Sequence, residues 1–116
     1  MMSSDLQKIQ YISEYCIAIG KTIQRFGNTF DAYIADPDYQ RSVCFSILQI
    51  GELSGSLSEE YRQENADRIQ WWSIKAMRNL VAHSYCRLDQ SMMIWITATV
   101  DIPALLQFCE EELSLG

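Results

Sequence analysis

Apolar residues recur every three to four positions along most of this 116-residue chain. This spacing places them on one face of a helix and not on the alternating faces of a strand. The sequence contains no hairpin signal and no internal repeat. We therefore predict an all-α protein, a four- to five-helix up-and-down bundle, with residues 1–116 forming a single helical domain. The first apolar stripe consists of Leu6, Ile9, Ile12, Cys16, Ile19, Ile23 and Phe26.

Capping residues predict where the first helices begin and end. Ser4, with Gln7 three residues later, is typical of a helix start, and Gly27 is a natural stop. A turn is expected over residues 30–35. Asp36 followed by Pro37 then predicts the start of a second long helix.

The second long helix contains two glycines, Gly51 and Gly55, four residues apart. Glycine in a helix interior costs roughly 0.5–1 kcal/mol relative to alanine. We therefore expect another chain segment to approach closely at these positions. A short helix follows from Ser58 to about Asn65, and then a connector over residues 66–70.

Two further helices complete the predicted bundle. One runs from Trp71 to about His83, and the last begins at Asp89. Pro103 lies within the last helix and is expected to bend it, because proline removes a backbone donor and crowds the preceding turn.

The distribution of charge sets one segment apart. The chain has a net charge of -6 at pH 7, which argues against coating of nucleic acid or membranes by its whole surface. Residues 62–88 nevertheless carry five basic and two acidic residues, and the single histidine, His83, lies among them. A solvated helix face explains many such runs. The coincidence with the histidine favours a local site for an anion.

Other features indicate the class of protein and its compartment. The start, MMSSDLQKIQ, lacks a basic segment followed by an apolar run, and we expect that no apolar stretch has the length of a membrane span. The four cysteines form no Cys-x-x-Cys pair, so we expect buried free thiols in a reducing compartment. No metal site and no cofactor is predicted. These features predict a cytoplasmic protein.

Four polar side chains of different chemistry lie close together at the end of the third long helix, namely Arg78, Asn79, His83 and Tyr85. Residues five apart on a helix are about 140° apart around its axis, so Arg78 and His83 do not share a narrow face. They can meet only at a frayed helix end or across two chains. An ordinary helix C-terminus, where cations interact favourably with the helix dipole, explains the same residues. Spacing alone slightly favours that simpler interpretation.

The arrangement of these residues resembles the signature of HEPN-domain proteins, specifically the HepT-like toxins that pair with MNT nucleotidyltransferase antitoxins. The resemblance rests on Arg78-Asn79 followed by His83 and Tyr85, and it covers roughly residues 5–113. Ala76 departs from the glycine of many relatives but removes no reactive group. Other segments that are similar to the family occur in the same order as in the family: Ile50-Gly51-Glu52, Trp72, Ile74, Leu88-Asp89 and Trp95 to Leu106.

The resemblance implies a dimer whose two motifs line one cleft and a metal-independent endoribonuclease activity. His83 of each protomer would supply the base and the acid, Arg78 would contact the phosphate, and Asn79 would orient the histidine or the phosphate. Tyr85 is similar to a tyrosine that the MNT partner adenylylates in related pairs, which adds negative charge beside the cleft. The partners expected are RNA, an MNT-type nucleotidyltransferase and a second copy of the chain.

Two other interpretations remain open from the sequence. One is a catalytically silent HEPN module that binds an MNT-type enzyme or nucleotides through the same residues. The other is a helical interaction protein whose apolar faces form an oligomer. One histidine per chain adds a constraint, because an enzyme that uses histidine as both acid and base then needs two protomers.

Overall fold

A computed structural model describes residues 3–84 and 90–115, apart from the side chain of Ser84. Helices are the only regular structure in this part of the chain, which confirms the predicted all-α bundle. The last three elements follow one another without a break, so four long arms form the bundle. The elements are α1 (Ser4–Phe26), α2 (Phe30–Ala35), α3 (Pro37–Gly55), α4 (Glu59–Glu64), α5 (Trp71–Ser84), α6 (Ser91–Ile96), a π-helical segment (Thr97–Asp101) and α7 (Ile102–Leu115).

The ends of α1 follow from its capping residues. The Ser3 side chain accepts a hydrogen bond from the backbone N–H of Leu6 at 3.1 Å, so the N-cap is one residue earlier than predicted. At the other end Gly27 has φ 114°, a conformation that favours glycine. Its N–H donates to the Ile23 carbonyl at 2.9 Å, which confirms the predicted stop.

The segment Phe30–Ala35 is a short helix, and the prediction of a turn there is wrong. The Thr29 hydroxyl caps its first turn by accepting the N–H of Ala32 at 3.1 Å. At its C-terminal end the buried Gln40 amide donates to the Tyr33 and Ile34 carbonyls, each at 3.0 Å. Because side chains satisfy both ends, even this short helix is stable in the fold.

The hydrophobic core lies between the long arms. α1 packs against α3 and α7, and α3 packs against α5. Each arm contributes the apolar face that its periodicity predicts, so the bundle follows directly from the sequence pattern. The fully buried core side chains include Ile9, Ile12, Ile19, Tyr33, Tyr39, Val43, Val81 and Ile94.

The last arm accommodates Pro103 through a π-helical segment directly before it. The N–H of Ile102 bonds to the Thr97 carbonyl five residues earlier, which widens the helix there. A proline has no N–H to donate, and the shift in the backbone hydrogen-bond pattern occurs at Ile102, one residue before Pro103. A π-helical segment was not expected; the sequence predicted only a bend at Pro103. The predicted start at Asp89 lies outside the described residues.

The arm from Ser91 to Leu115 is long and apolar enough to cross a membrane, judged by length and composition alone. The expectation that no stretch has such a length is therefore wrong. Its apolar residues include Ile94, Ile102 and Phe108, which are buried in the core, and its α7 segment packs against α1. A core helix of a globular bundle has the same composition.

Two of the four cysteines, Cys16 and Cys109, are free and buried, as predicted. Burial raises the pKa of both thiols, Cys109 to about 12, so both are inert neutral core residues. Cys44 is disulfide-bonded, and the prediction of a free thiol is wrong there.

Polar contacts fix α4 and the connector that follows it. The Asp5 carboxylate of α1 accepts bonds from the N–H and the hydroxyl of Ser58, at 2.8 and 2.7 Å. On the other side Tyr61 donates to Glu112 at 2.6 Å, and Arg68 donates to the same carboxylate at 2.8 Å. Burial alone would raise the pKa of Glu112, but the bonds from Tyr61 and Arg68 and the Arg68 charge lower it overall.

Candidate active site

Three of the four predicted site residues lie on α5. Arg78 and Asn79 are partly buried in its middle, and His83 is exposed in its last turn. Because His83 is exposed, its imidazole is accessible to solvent. The fourth, Tyr85, lies outside the described residues.

Arg78 lies against α3 at a point where only glycine fits. A Cβ atom built on Gly51 would overlap both Cβ and Cγ of Arg78 and would lie 3.6 Å from its Cα. The expected close approach at Gly51 is confirmed. It is not confirmed at Gly55, where the same construction meets nothing within 4 Å.

The guanidinium of Arg78 is held by two neighbours. Its Nε donates to Oε1 of Glu52 at 2.7 Å, and Nη2 donates to the same oxygen. Its Nη1 donates to Oδ1 of Asn79 at 3.0 Å. The Arg78 and Glu52 side chains are 37% and 56% exposed, so this ion pair adds little stability, but it sets the direction of the guanidinium.

Arg78 and His83 do not converge within one chain. Both lie on the regular α-helix α5, where five residues correspond to about 140° around the axis. Arg78 faces α3 through Glu52, whereas His83 is exposed to solvent. The described part of the chain thus presents an arginine and a histidine on different sides of one helix.

A groove with a volume of about 600 Å³ lies beside Arg78, between the end of α3, α4 and the start of α5. Its volume is within the range of small-molecule sites. We call it the α3–α5 groove. It is lined by Gly51, Glu52, Ser54, Gly55, Ser56, Arg62, Trp71, Trp72, Lys75, Arg78 and Asn79.

The α3–α5 groove is cationic and contains unsatisfied polar atoms. Arg62, Lys75 and Arg78 line it against one carboxylate, that of Glu52. Ser54 is only 4% exposed, and its hydroxyl has no partner among the described residues. The buried Nε of Arg62 likewise has none there. Buried polar atoms of this kind are costly unless a ligand or water satisfies them.

Two adjacent tryptophans of the groove have different environments. Trp71 packs edge-on against Phe108, with ring centroids 5.9 Å apart, and its indole N–H donates to the Arg62 carbonyl at 3.0 Å. Trp72 is 70% exposed. Trp71 therefore joins α5 to the core and to α4, while Trp72 leaves a large aromatic surface open.

A family described as HepT-like, ribonuclease HepT-like, matches residues 6–112, nearly the whole chain. The chain belongs to the HepT-like family. Comparison with curated proteins and with solved structures gives no significant match. This membership agrees with the resemblance found in the sequence. The exposed histidine and the cationic groove are both chemically compatible with a ribonuclease.

Sequence reasoning missed the role of two groove residues. Glu52 was noted only as part of the Ile-Gly-Glu segment, although it is the carboxylate that holds Arg78. Trp72 was noted only for its order along the chain. Its exposure had a detectable signal, because adjacent residues are about 100° apart on a helix and Trp71 and Trp72 cannot both face the core.

Proposed function

We propose that this chain is the toxin of a HEPN/MNT toxin–antitoxin pair, a metal-independent endoribonuclease that acts in a cleft shared by two protomers. The single observation that carries the proposal is the family match over residues 6–112. The accessible His83 and the oriented guanidinium of Arg78 support it. They supply the two kinds of group that RNA cleavage by its own 2′-hydroxyl requires.

The proposed reaction proceeds by general acid–base catalysis. One His83 accepts the proton of the ribose 2′-hydroxyl, and the 2′-oxygen attacks the adjacent phosphorus. The second His83 donates a proton to the departing 5′-oxygen. The products are a 2′,3′-cyclic phosphate and a 5′-hydroxyl, and Arg78 stabilises the negative charge that develops on the phosphorane.

Several features support a dimer as the active form. Each chain has one histidine, and the reaction uses two. Arg78 and His83 diverge on α5, so a partner's motif would complete the set of groups around one phosphate. The last arm also exposes an apolar strip that a second copy would cover. This strip consists of Met92, Met93, Ile96 and Val100, each between 47% and 60% exposed.

We further propose that an MNT-type nucleotidyltransferase regulates the enzyme in the cytoplasm. Adenylylation of Tyr85 would add a phosphate two residues after His83. That charge would repel the RNA backbone and neutralise nearby cations. Mass spectrometry of the co-expressed pair tests this, since an adenylyl group on Tyr85 is expected and an unmodified toxin would contradict it.

A second candidate function is a catalytically silent module that binds its partner or nucleotides. One observation favours it: Glu52 already occupies Nε and Nη2 of Arg78, the groups that a phosphate would contact. In a silent module the ion pair between Arg78 and Glu52 would never open to a phosphate. In the ribonuclease, RNA must share the guanidinium with Glu52 or displace it.

The two candidates differ in the effect of removing the histidine. Wild type and His83→Ala are expressed in cells and also assayed on RNA in EDTA. The ribonuclease proposal predicts growth arrest and cleavage by the wild type, with a loss of about 10²- to 10⁴-fold in the variant. Lys21→Ala, an exposed cation on α1, is the control and keeps full activity. Equal behaviour of wild type and His83→Ala would support the silent module.

A further inference from the structure

We infer that the α3–α5 groove binds one nucleotide of single-stranded RNA a few nucleotides from the cleaved phosphate, with its base stacked on Trp72. This inference rests on the proposed ribonuclease function and adds a substrate-binding site to it. Three properties of the groove support it: an open aromatic face, an excess of cations, and buried polar atoms with no partner among the described residues.

The aromatic face belongs to Trp72, which is 70% exposed at the start of α5. Its neighbour Trp71 already joins α5 to the core and α4, so stability of the bundle does not explain a second tryptophan here. Unpaired bases stack on such rings, and each contributes about 1–3 kcal/mol to binding. A base on Trp72 would cover the indole that the fold leaves exposed.

The cations suit the backbone of the same nucleotide. Lys75 lies one turn beyond Trp72 on α5, and Arg62 lines the groove from α4. Both lie within residues 62–88, which carry five basic and two acidic residues. The unpartnered hydroxyl of Ser54 and Nε of Arg62 could bond to a base edge or a ribose hydroxyl, which would satisfy both atoms.

The groove is aligned with the catalytic motif along α5. Trp72 and Asn79 are seven residues apart, so they lie about 10 Å apart along the axis and within about 20° around it. His83 continues the same line one turn later. At about 3.4 Å per stacked nucleotide, a base on Trp72 is within about three nucleotides of the phosphate at the motif. A base held on Trp72 would thus determine which phosphate of the RNA strand lies at the motif.

The test measures binding separately from cleavage. All variants carry His83→Ala, and a short fluorescein-labelled single-stranded RNA is titrated in EDTA by fluorescence anisotropy. Adding Trp72→Ala is expected to raise Kd about 5- to 150-fold, the loss of one stacked base. Trp72→Phe keeps an aromatic face and restores most of the affinity. Lys75→Ala lowers the slope of log K against log salt by about 0.7, the loss of one phosphate contact.

Tyr11→Ala is the matched control, because Tyr11 is an aromatic residue on α1 that is 55% exposed and lies outside the groove. It should leave Kd unchanged, and light scattering should give the same mass for every variant. Unchanged affinity in Trp72→Ala, or no rescue by Trp72→Phe, would overturn the inference.

Two further outcomes would also overturn it. If AMP binds as tightly as the oligonucleotide, the groove is a mononucleotide site. If Trp72→Ala changes the oligomeric mass, a second copy covers the indole. Failure of the ribonuclease proposal would be seen differently, as equal RNA cleavage by wild type and by His83→Ala.

Discussion

The Cβ and Cγ atoms of Arg78 on α5 lie so close to Gly51 of α3 that no side chain fits at position 51. A side chain at position 51 would push the two helices apart or displace the arginine. This contact therefore connects the packing of the bundle to the position of the guanidinium that the proposed reaction uses.

Gly51→Ala should destabilise the protein and lower its activity together. Forcing an extra carbon into a packed contact costs about 1–3 kcal/mol, and Arg78 would move relative to the phosphate. Urea unfolding and RNA cleavage measure the two effects. Gly20→Ala is the control, because a Cβ there meets nothing within 4 Å and Gly20 lies outside the α3–α5 groove. Unchanged stability and cleavage in Gly51→Ala would show that the helices adjust freely.

Glu52→Gln should separate binding from catalysis. The substitution removes the one carboxylate that lines the α3–α5 groove and loosens the pairing that orients Arg78. We expect a lower KM for RNA, because the Glu52 carboxylate no longer repels the phosphates of the RNA. We also expect kcat to fall by about 10- to 100-fold, because the Arg78 guanidinium is no longer held in position. Steady-state kinetics on an RNA oligonucleotide checks both values. A higher kcat would mean that Glu52 inhibits the enzyme instead of positioning Arg78.

Ile96→Glu should convert the proposed dimer to a monomer and abolish cleavage. Ile96 lies within the apolar strip of the last arm and is 48% exposed, so a charge there is tolerated in the free chain but not in an interface. Light scattering measures the mass, and a cleavage assay measures the activity. Ile17→Glu, at a similarly exposed position on α1, serves as the control. An active monomer would be incompatible with a cleft built from two histidines.

Glu112→Gln should lower stability at neutral pH but not in acid. The pKa of Glu112 is lowered in the fold, so its carboxylate stabilises the folded state above the unfolded pKa of about 4.3. That contribution disappears as the pH falls through the lowered value. Thermal unfolding of wild type and variant should therefore differ at pH 7 and converge in acid. Glu14→Gln, an exposed position on α1, is the control, and its effect on thermal unfolding should not change with pH. A difference between wild type and Glu112→Gln that is the same at every pH would contradict the stabilising role of the Glu112 carboxylate.

The sequence predicted most of the fold because periodicity and capping are local signals. α1 ends at Phe26 and α3 begins at Pro37, both where Gly27 and Asp36 indicated. α2 was missed because its stability depends partly on Gln40, a side chain from the next helix that caps it. The π-helical segment was missed because Pro103 indicates a disturbed helix but not how the backbone adjusts.

The candidate site was predicted less completely, because it depends on contacts between distant residues. Arg78 and His83 were singled out by the resemblance to the HEPN signature, since their spacing alone slightly favoured an ordinary helix end. The bond from Arg78 to Glu52 spans 26 residues, and no local pattern reveals it. Gly51 did give a signal, since a glycine inside a helix predicts a close approach, but it did not show which residue approaches.

His83 is proposed to drive cleavage of RNA by its own 2′-hydroxyl without a metal ion. The ends of the RNA products formed in EDTA report on this chemistry. We expect 2′,3′-cyclic phosphate and 5′-hydroxyl ends from the wild type, formed about 10²- to 10⁴-fold more slowly by His83→Ala. Products with 5′-phosphate and 3′-hydroxyl ends, or equal rates of cyclic phosphate formation by both proteins, would be incompatible with this mechanism.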